Sequence, residues 1–152
     1  MITKMIEGVI LKDLVVHRDE RGALFEILRS DEEIFRKFGQ AYITICKPSW
    51  VKGWHYHKIQ EDNFCVIKGK AKIVLIGPDK KEFQEFILSQ ADPQLLKIPP
   101  KVIHGFECLT KSECWILNIP TEFYNHKQPD EYRIKLDDQS IPYKKWKTKK
   151  GW

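Results

Sequence analysis

The sequence predicts an all-β domain, a barrel or sandwich of short strands carrying one short helix. Two observations point to strands. Apolar and β-branched runs of five to eight residues recur along the chain. Charged or Pro/Gly-bearing turns separate them, the spacing of a barrel or sandwich. A third observation makes it one domain. No repeat, low-complexity segment or Pro/Gly/Ser linker divides the 152 residues. A chain of this size buries about 68–70% of its unfolded surface, enough for one core without disulfides or metal.

The elements follow in order. "VILKDLVV" (9–16) is apolar apart from Lys12 and Asp13 and reads as a strand. "HRDERG" (17–22) is a charged turn ending in Gly, and "ALFEILR" (23–29) is the next strand. The helix is expected over 31–38. Ser30 and Glu33 have capping-box spacing, Asp31 and Glu32 add acids at the positive helix end, and Gly39 can stop it. Ile34 and Phe38 share one face of that helix.

Strands then return as "AYITICK" (41–47), "NFCVIKG" (63–69), "KAKIVLIG" (70–77), "EFQEFIL" (82–88) and "QLLKIP" (94–99). "GFECL" (105–109) and "ECWILNI" (113–119) complete the set. "PDKK" between two of these runs is a hairpin connection. "IPYKKW" (141–146) reads as a tail that packs through its aromatic residues.

Composition excludes several classes. The net charge is +5, and Lys144, Lys145, Lys147, Lys149 and Lys150 in the basic tail 143–152 account for all of it. A lysine cluster at a chain end is expected to be solvated, with a phosphorylated ligand or a neighbouring subunit as the other use. Nothing else supports nucleic-acid binding. Lys4 and Glu7 break the first ten residues, so no secretory leader is expected, and no apolar run approaches the roughly 20 residues of a membrane span. Cys46, Cys65, Cys108 and Cys114 form no CxxC pair. The expectation is a reduced, cytoplasmic protein with no membrane partner.

The chemistry gathers in "GWHYHKIQED" (53–62). His55 and His57 stand at i and i+2, which on a strand places both imidazoles on one face. His104 follows the Pro-rich turn in "IPPKVIHGF" (98–106). Three imidazoles and a carboxylate, Glu61 or Asp62, could hold a divalent metal in the manner of a metal-binding cupin. Proton transfer needs fewer residues. A neutral imidazole can remove a proton alpha to a ketone, and a Tyr hydroxyl on the opposite side, Tyr124 in "TEFYNH", can return one. Packing alone would also account for Tyr124, and the histidines could be structural.

Four segments in order resemble the dTDP-4-dehydrorhamnose 3,5-epimerase family of sugar-nucleotide enzymes. "DERGALFE" (19–26) is similar to its D-x-R-G…E entry motif and "KGWHYH" (52–57) to its R-G-L-H-Y core. "IPPKVIHGF" matches its I-P-x-G-x-x-H-G-F segment. "YNHKQPDEYRI" (124–134) with "DDQSIPYKKW" (137–146) resembles its Y-x-P…DD-P…I-D-W ending.

The resemblance implies a cupin-type jelly roll, a homodimer sharing strands, and cofactor-free, metal-free inversion of C3 and/or C5 of a nucleotide-diphosphate 4-keto-6-deoxy sugar in surface-polysaccharide synthesis. It implies His55 as base and Tyr124 as acid. Arg21, Glu26 and Lys52 would contact the nucleotide, His104 would bind the sugar, and His57 and Asp62 would border the substrate. At the place of the family's enolate-stabilising Lys this chain has Asp62, and it contains no S-x-K-D segment to orient the base. "GWHYHKIQEDNFCVIKG" (53–69) is also similar to the G-F-H-A-H-K-x-x-E stretch of dTDP-sugar 3,4-ketoisomerases, which implies ketone migration through an enediol with His55 and His57 sharing the proton.

Overall fold

The computed structural model describes residues 5–151. Trp152, the last residue of the basic tail, and Lys4, used above against a leader, lie outside them. Twelve strands run in chain order: β1 (Ile10–Asp13), β2 (Val16–Asp19), β3 (Gly22–Phe25), β4 (Tyr42–Cys46), β5 (Val51–Tyr56), β6 (Asp62–Lys68), β7 (Lys70–Ile76), β8 (Phe83–Ser89), β9 (Gln94–Ile98), β10 (Ile103–Cys108), β11 (Cys114–Asn118) and β12 (Tyr132–Arg133). One antiparallel sheet has the order β1-β9-β6-β11-β4, and the facing sheet the order β12-β5-β10-β7-β8. The result is the expected jelly-roll barrel. β2 and β3 pair only with each other, as a separate hairpin.

Alternation explains the core. On β6, Phe64 and Val66 face inward; on β7 it is Ala71, Ile73 and Leu75, on β9 Leu96 and Ile98, on β10 Phe106. These meet between the sheets as one buried cluster. The opposite face of β6 and β9 presents Cys65 and Leu95 to Leu14, Phe25, Ile27, Leu28 and Ile34. The outer face of the second sheet is covered by the tail, where Ile141 and Tyr143 pack against Trp54, Val74, Ile76 and Ile103. The lysines around them stay exposed, so the tail docks by its apolar residues and leaves its charge in water.

The expected helix over 31–38 does not form, and no α-helix occurs among the described residues. The segment turns instead, with Phe35 N–H bonded to the Glu32 carbonyl at 3.0 Å. Longer-range partners take the groups a helix would use. The Ile34 carbonyl accepts Lys97 Nζ at 3.2 Å, and Gly39 N–H donates to the Pro120 carbonyl at 2.9 Å. Glu32 divides its carboxylate, Oε1 pairing with Lys12 and Oε2 accepting the Arg29 N–H at 3.3 Å, and no helix follows. Gly39 is not a helix stop: a Cβ there would lie 2.2 Å from the Glu122 carbonyl carbon, so its role is close backbone approach. The charged turn at 17–22 is also shorter than expected, because β2 and β3 extend to leave only Glu20 and Arg21 between them.

Candidate active site at the barrel mouth

A bulge sets the site. β10 pairs with β5 as His104↔His55 and Gly105↔Gly53, which leaves Trp54 with no opposite residue. The extra residue resets the alternation, so Lys52 (opposite Phe106) and His55 (opposite His104) share the inner face although they are three apart. Trp54 is thrown to the outer face, fully buried against Tyr143 and Trp146. The strands approach so closely here that a Cβ on Gly53 would stand 2.8 Å from Gly105 Cα.

At this end of the barrel His55, His57, Asp62 and His104 converge, one ligand-type atom of each lying within 4.8 Å of all the others. The ring centroids of His55 and His104 are 4.1 Å apart and those of His55 and His57 5.7 Å. Asp62 is the hub. Its Oδ1 accepts Gln60 Nε2 at 2.7 Å and Asn118 Nδ2 at 2.8 Å. Its Oδ2 lies 3.3 Å from His57 Nε2 and 3.1 Å from His104 Nε2. The His104 contact is at ion-pair distance but off hydrogen-bond geometry, so His104 Nε2 is buried without a hydrogen-bond partner.

The remaining ring nitrogens are fixed by backbone. His104 Nδ1–H donates to the Val102 carbonyl at 3.0 Å, and His57 Nδ1–H to the Asp130 carbonyl. The Asp130 carboxylate caps the Lys58, Ile59 and Gln60 N–H groups at 2.8–2.9 Å, holding the turn that follows His57.

Electrostatics follow from this packing. Burial, then the neighbouring His104, hold the His55 imidazole well below its ordinary value, so it is neutral. Burial pulls His57 the same way, but the Asp62 hydrogen bond and charge and the Asp130 carbonyl outweigh it and raise His57 to about 9. Burial would raise the Asp62 carboxyl; contacts with His104 and His57 override it and keep it well below the carboxylate range. Tyr42 is lifted to about 12, by burial first and the Asp62 charge second.

A cavity of about 350 Å³ opens over the cluster, lined by His55, His57, Gln60, Tyr42, Tyr124 and Asp130 among others. His55 and Tyr124 thus face one space, with Tyr124 44% exposed beside His126. Asp62 and His104 are each 1% exposed; they stand behind the cavity wall rather than on it.

Glu61, a carboxylate of the alternative metal set, is not part of the cluster. It points to the other face, 2.8 Å from Lys97 Nζ and 3.1 Å from Arg36 Nε, and Asp62 takes the place. Lys52 donates to Thr44 Oγ1 at 3.0 Å and borders a neighbouring groove with Cys46 and Trp50. Arg21 and Glu26 do not line the cavity. Arg21 pairs with Asp19 at the tip of the hairpin, and Glu26 with Arg29 just beyond it.

Sequence reasoning missed Tyr42, Gln60, Asn118 and Asp130. Gln60 and Asn118 carried a signal, each a polar residue on or next to a strand that buries it; Asp130 depends on a contact 70 residues along the chain and carried none.

The fold and site define a cupin-type barrel whose mouth presents histidines and a tyrosine to a small polar cavity. The chain belongs to the family described as the polysaccharide biosynthesis C-terminal domain, whose model matches residues 17–132. It is 37% identical over 149 residues to the spore coat polysaccharide biosynthesis protein SpsL of Bacillus subtilis, covering 95% of this chain and 98% of that one. It is 32% identical over 139 residues to the probable low-salt glycan biosynthesis epimerase Agl13 of Haloferax volcanii, covering 87% and 89%. Among solved structures it is similar to a dTDP sugar isomerase of Desulfovibrio desulfuricans G20, with a TM-score of 0.84, 26% identity and 91% of each chain covered. Crystal structures of a dTDP-6-deoxy-D-glucose-3,5-epimerase of Legionella pneumophila and a dTDP-4-dehydrorhamnose 3,5-epimerase of Elizabethkingia anophelis share the fold. No helix among the described residues is long and apolar enough to cross a membrane.

Proposed function

We propose that this protein is an isomerase that inverts C3, C5 or both of a nucleotide-diphosphate-linked 4-keto-6-deoxyhexose, in the synthesis of a surface polysaccharide. The observation that carries this reading is that His55 and Tyr124 line one cavity at the barrel mouth. The similarity to Agl13, named as a probable glycan biosynthesis epimerase, supports it.

In this reaction His55 takes the proton from the carbon beside the C4 ketone. The C–H electron pair becomes the C=C bond of an enolate and the carbonyl π pair moves onto oxygen. Tyr124 delivers a proton to the other side of that carbon, which inverts it, and solvent restores both groups. Lys52 is proposed to meet the diphosphate, where a cation is well matched.

A second reading, ketone migration from C4 to C3 through an enediol, is favoured by one observation: His55 and His57 border the same cavity, so two imidazoles are available to one substrate. The dTDP sugar isomerase likeness supports it equally.

The protein is further proposed to act as a homodimer. The β2–β3 hairpin pairs with neither barrel sheet, and Arg21 and Glu26 do not line their own chain's cavity, so a partner's cavity is the site they serve. A cytoplasmic location is supported by four unpaired, buried thiols.

The test is incubation with dTDP-4-keto-6-deoxyglucose in deuterated water, followed by NMR. Deuterium at C3 or C5 with inversion supports the epimerase. Appearance of a C3 ketone transfers the assignment to the isomerase. No exchange with dTDP-, UDP-, GDP- or CDP-linked 4-keto sugars would sink both.

A further inference from the structure

We propose that Tyr42 is a further catalytic residue, the hydrogen-bond donor that receives the ketone oxygen of the substrate and stabilises the enolate formed on it. The assignment rests on the isomerase reading and deepens it.

The reaction sets a demand. As His55 removes the proton, the carbonyl π pair moves onto oxygen, and that charge needs a donor already in place. Where the resemblance puts a lysine for this work, the chain has the anionic Asp62. The donor therefore comes from elsewhere in the cavity wall.

Three observations point to Tyr42. The first is its place. Tyr42 opens β4, is 39% exposed, and lines the same cavity as His55 and Tyr124.

The second is the direction of its hydrogen bond. Asn118 Oδ1 accepts the Asn63 backbone N–H at 2.9 Å, which fixes the amide and leaves Nδ2 as the donor on the other side. Nδ2 gives one hydrogen to Asp62 Oδ1 at 2.8 Å and the other to Tyr42 Oη at 2.9 Å. Tyr42 is thus the acceptor in this bond. Its own proton is not spent on Asn118, and no group among the described residues accepts it. Asn118 holds the phenol oxygen still, as a positioning residue.

The third is that neighbouring donors are occupied. At neutral pH His57 carries both ring protons, and they go to the Asp130 carbonyl and to Asp62. Gln60 Nε2 is turned to Asp62 at 2.7 Å. His104 is 1% exposed, behind the cavity wall. Gln40 also lines the cavity, but an amide is a far weaker acid than a phenol and the poorer donor to an oxyanion.

Burial, with the Asp62 charge second, raises the Tyr42 phenol to about 12, so it stays protonated and serves as a donor rather than a base. No proton need leave it. The C–H pair becomes the C=C bond, and the π pair rests on the ketone oxygen against the Tyr42 O–H. Both return when Tyr124 protonates the carbon. In ketone migration the same phenol holds the same oxygen while the enediol forms.

The test compares the full-length wild type with Tyr42→Phe and Tyr124→Phe on dTDP-4-keto-6-deoxyglucose in deuterated water. Tyr42→Phe should lower kcat for deuterium exchange about 10²–10³-fold, with KM within about threefold of wild type and the circular dichroism spectrum unchanged. Tyr124→Phe should instead keep exchanging, with configuration retained, because proton removal does not need the acid. A second probe preserves the shape of the site. A polyfluorinated tyrosine at position 42 keeps the Asn118 bond and ionises well below the natural phenol. Its exchange should be lost as pH rises through that ionisation while the wild type holds its rate, a response that a packing role would not give. This protein remains informative if Tyr42→Phe fails to fold.

A wild-type exchange rate in Tyr42→Phe would overturn the proposal, as would a fluorinated protein with the wild-type pH profile. Full exchange without inversion in Tyr42→Phe would overturn it by making Tyr42 the acid in place of Tyr124. Loss of exchange in Gln40→Ala with none in Tyr42→Phe would move the role to the amide. Each of these outcomes requires a wild type that exchanges, so the isomerase reading survives them. A wild type that exchanges nothing on any sugar nucleotide overturns that reading and this assignment with it.

Discussion

The barrel mouth and the β2–β3 hairpin both carry residues that motif reasoning assigned to one active site, and they are built in opposite ways. At the mouth the Asp62 carboxylate gathers the polar groups around it. Asp62 touches four side chains, and two of the three histidines are tied to backbone carbonyls. On the hairpin, Arg21 pairs with Asp19 in solvent, and Leu24 is 61% exposed. The mouth is built from groups of this chain that hold one another, whereas the hairpin pairs with neither barrel sheet. Substitutions in the two regions should therefore fail differently: at the mouth in chemistry and folding, at the hairpin in affinity and association.

The largest effect is expected on chemistry at His55. His55→Ala should slow deuterium exchange about 10²–10⁴-fold while circular dichroism stays unchanged, because its Nδ1 bonds to nothing. Retention of full exchange would remove His55 as the base. The next largest is on stability at Asp62. Asp62→Ala strands the Gln60 and Asn118 donors and two imidazoles in a buried site, so urea denaturation should show a loss of roughly 3–5 kcal/mol. A loss near zero would mean that the cluster relaxes into water and is not the rigid hub described.

How far the sequence exposed this depends on the range of the interaction. Strand alternation was legible, and with it the shared cavity of His55 and His57. The bulge was not: Lys52 and His55 are three positions apart, and only the pairing with β10 shows that both face inward. The choice of Asp62 over Glu61 follows from adjacent residues at the start of β6 pointing to opposite sides, which no spacing rule applied to His57 could decide. The failed helix at 31–38 is the plainest case. Its capping signals are real, but Lys97 and Pro120, far along the chain, claim the groups a helix needs.

Gly39 lets that segment be tested in the middle of the range. Gly39→Ala forces a methyl group against the Glu122 backbone and threatens the bond to Pro120. A loss of about 1–3 kcal/mol is expected in thermal or urea unfolding, with deuterium exchange per folded molecule little changed. Gly39 near the mouth would need another explanation if the substitution were neutral or if it abolished exchange without unfolding.

The smallest effect on a single chain, and the most informative, is at Arg21. Its side chain is exposed and its ion pair sits in water, so Arg21→Ala should leave the melting temperature unchanged. If Arg21 serves the partner's cavity, KM for the sugar nucleotide rises and kcat changes little. The comparison is sharpest in a mixture of His55→Ala and Arg21→Ala chains, assayed at substrate below KM. Each homodimer is defective at both cavities. In the mixed dimer, one cavity takes its His55 from one chain and its Arg21 from the other, and is intact. Random exchange of equal amounts makes half the dimers mixed, each with one working cavity of two, so activity should recover to about a quarter of wild type. If Arg21 serves its own cavity, mixing recovers nothing. The outcome separates a hairpin that belongs to the neighbour's site from one that only decorates its own.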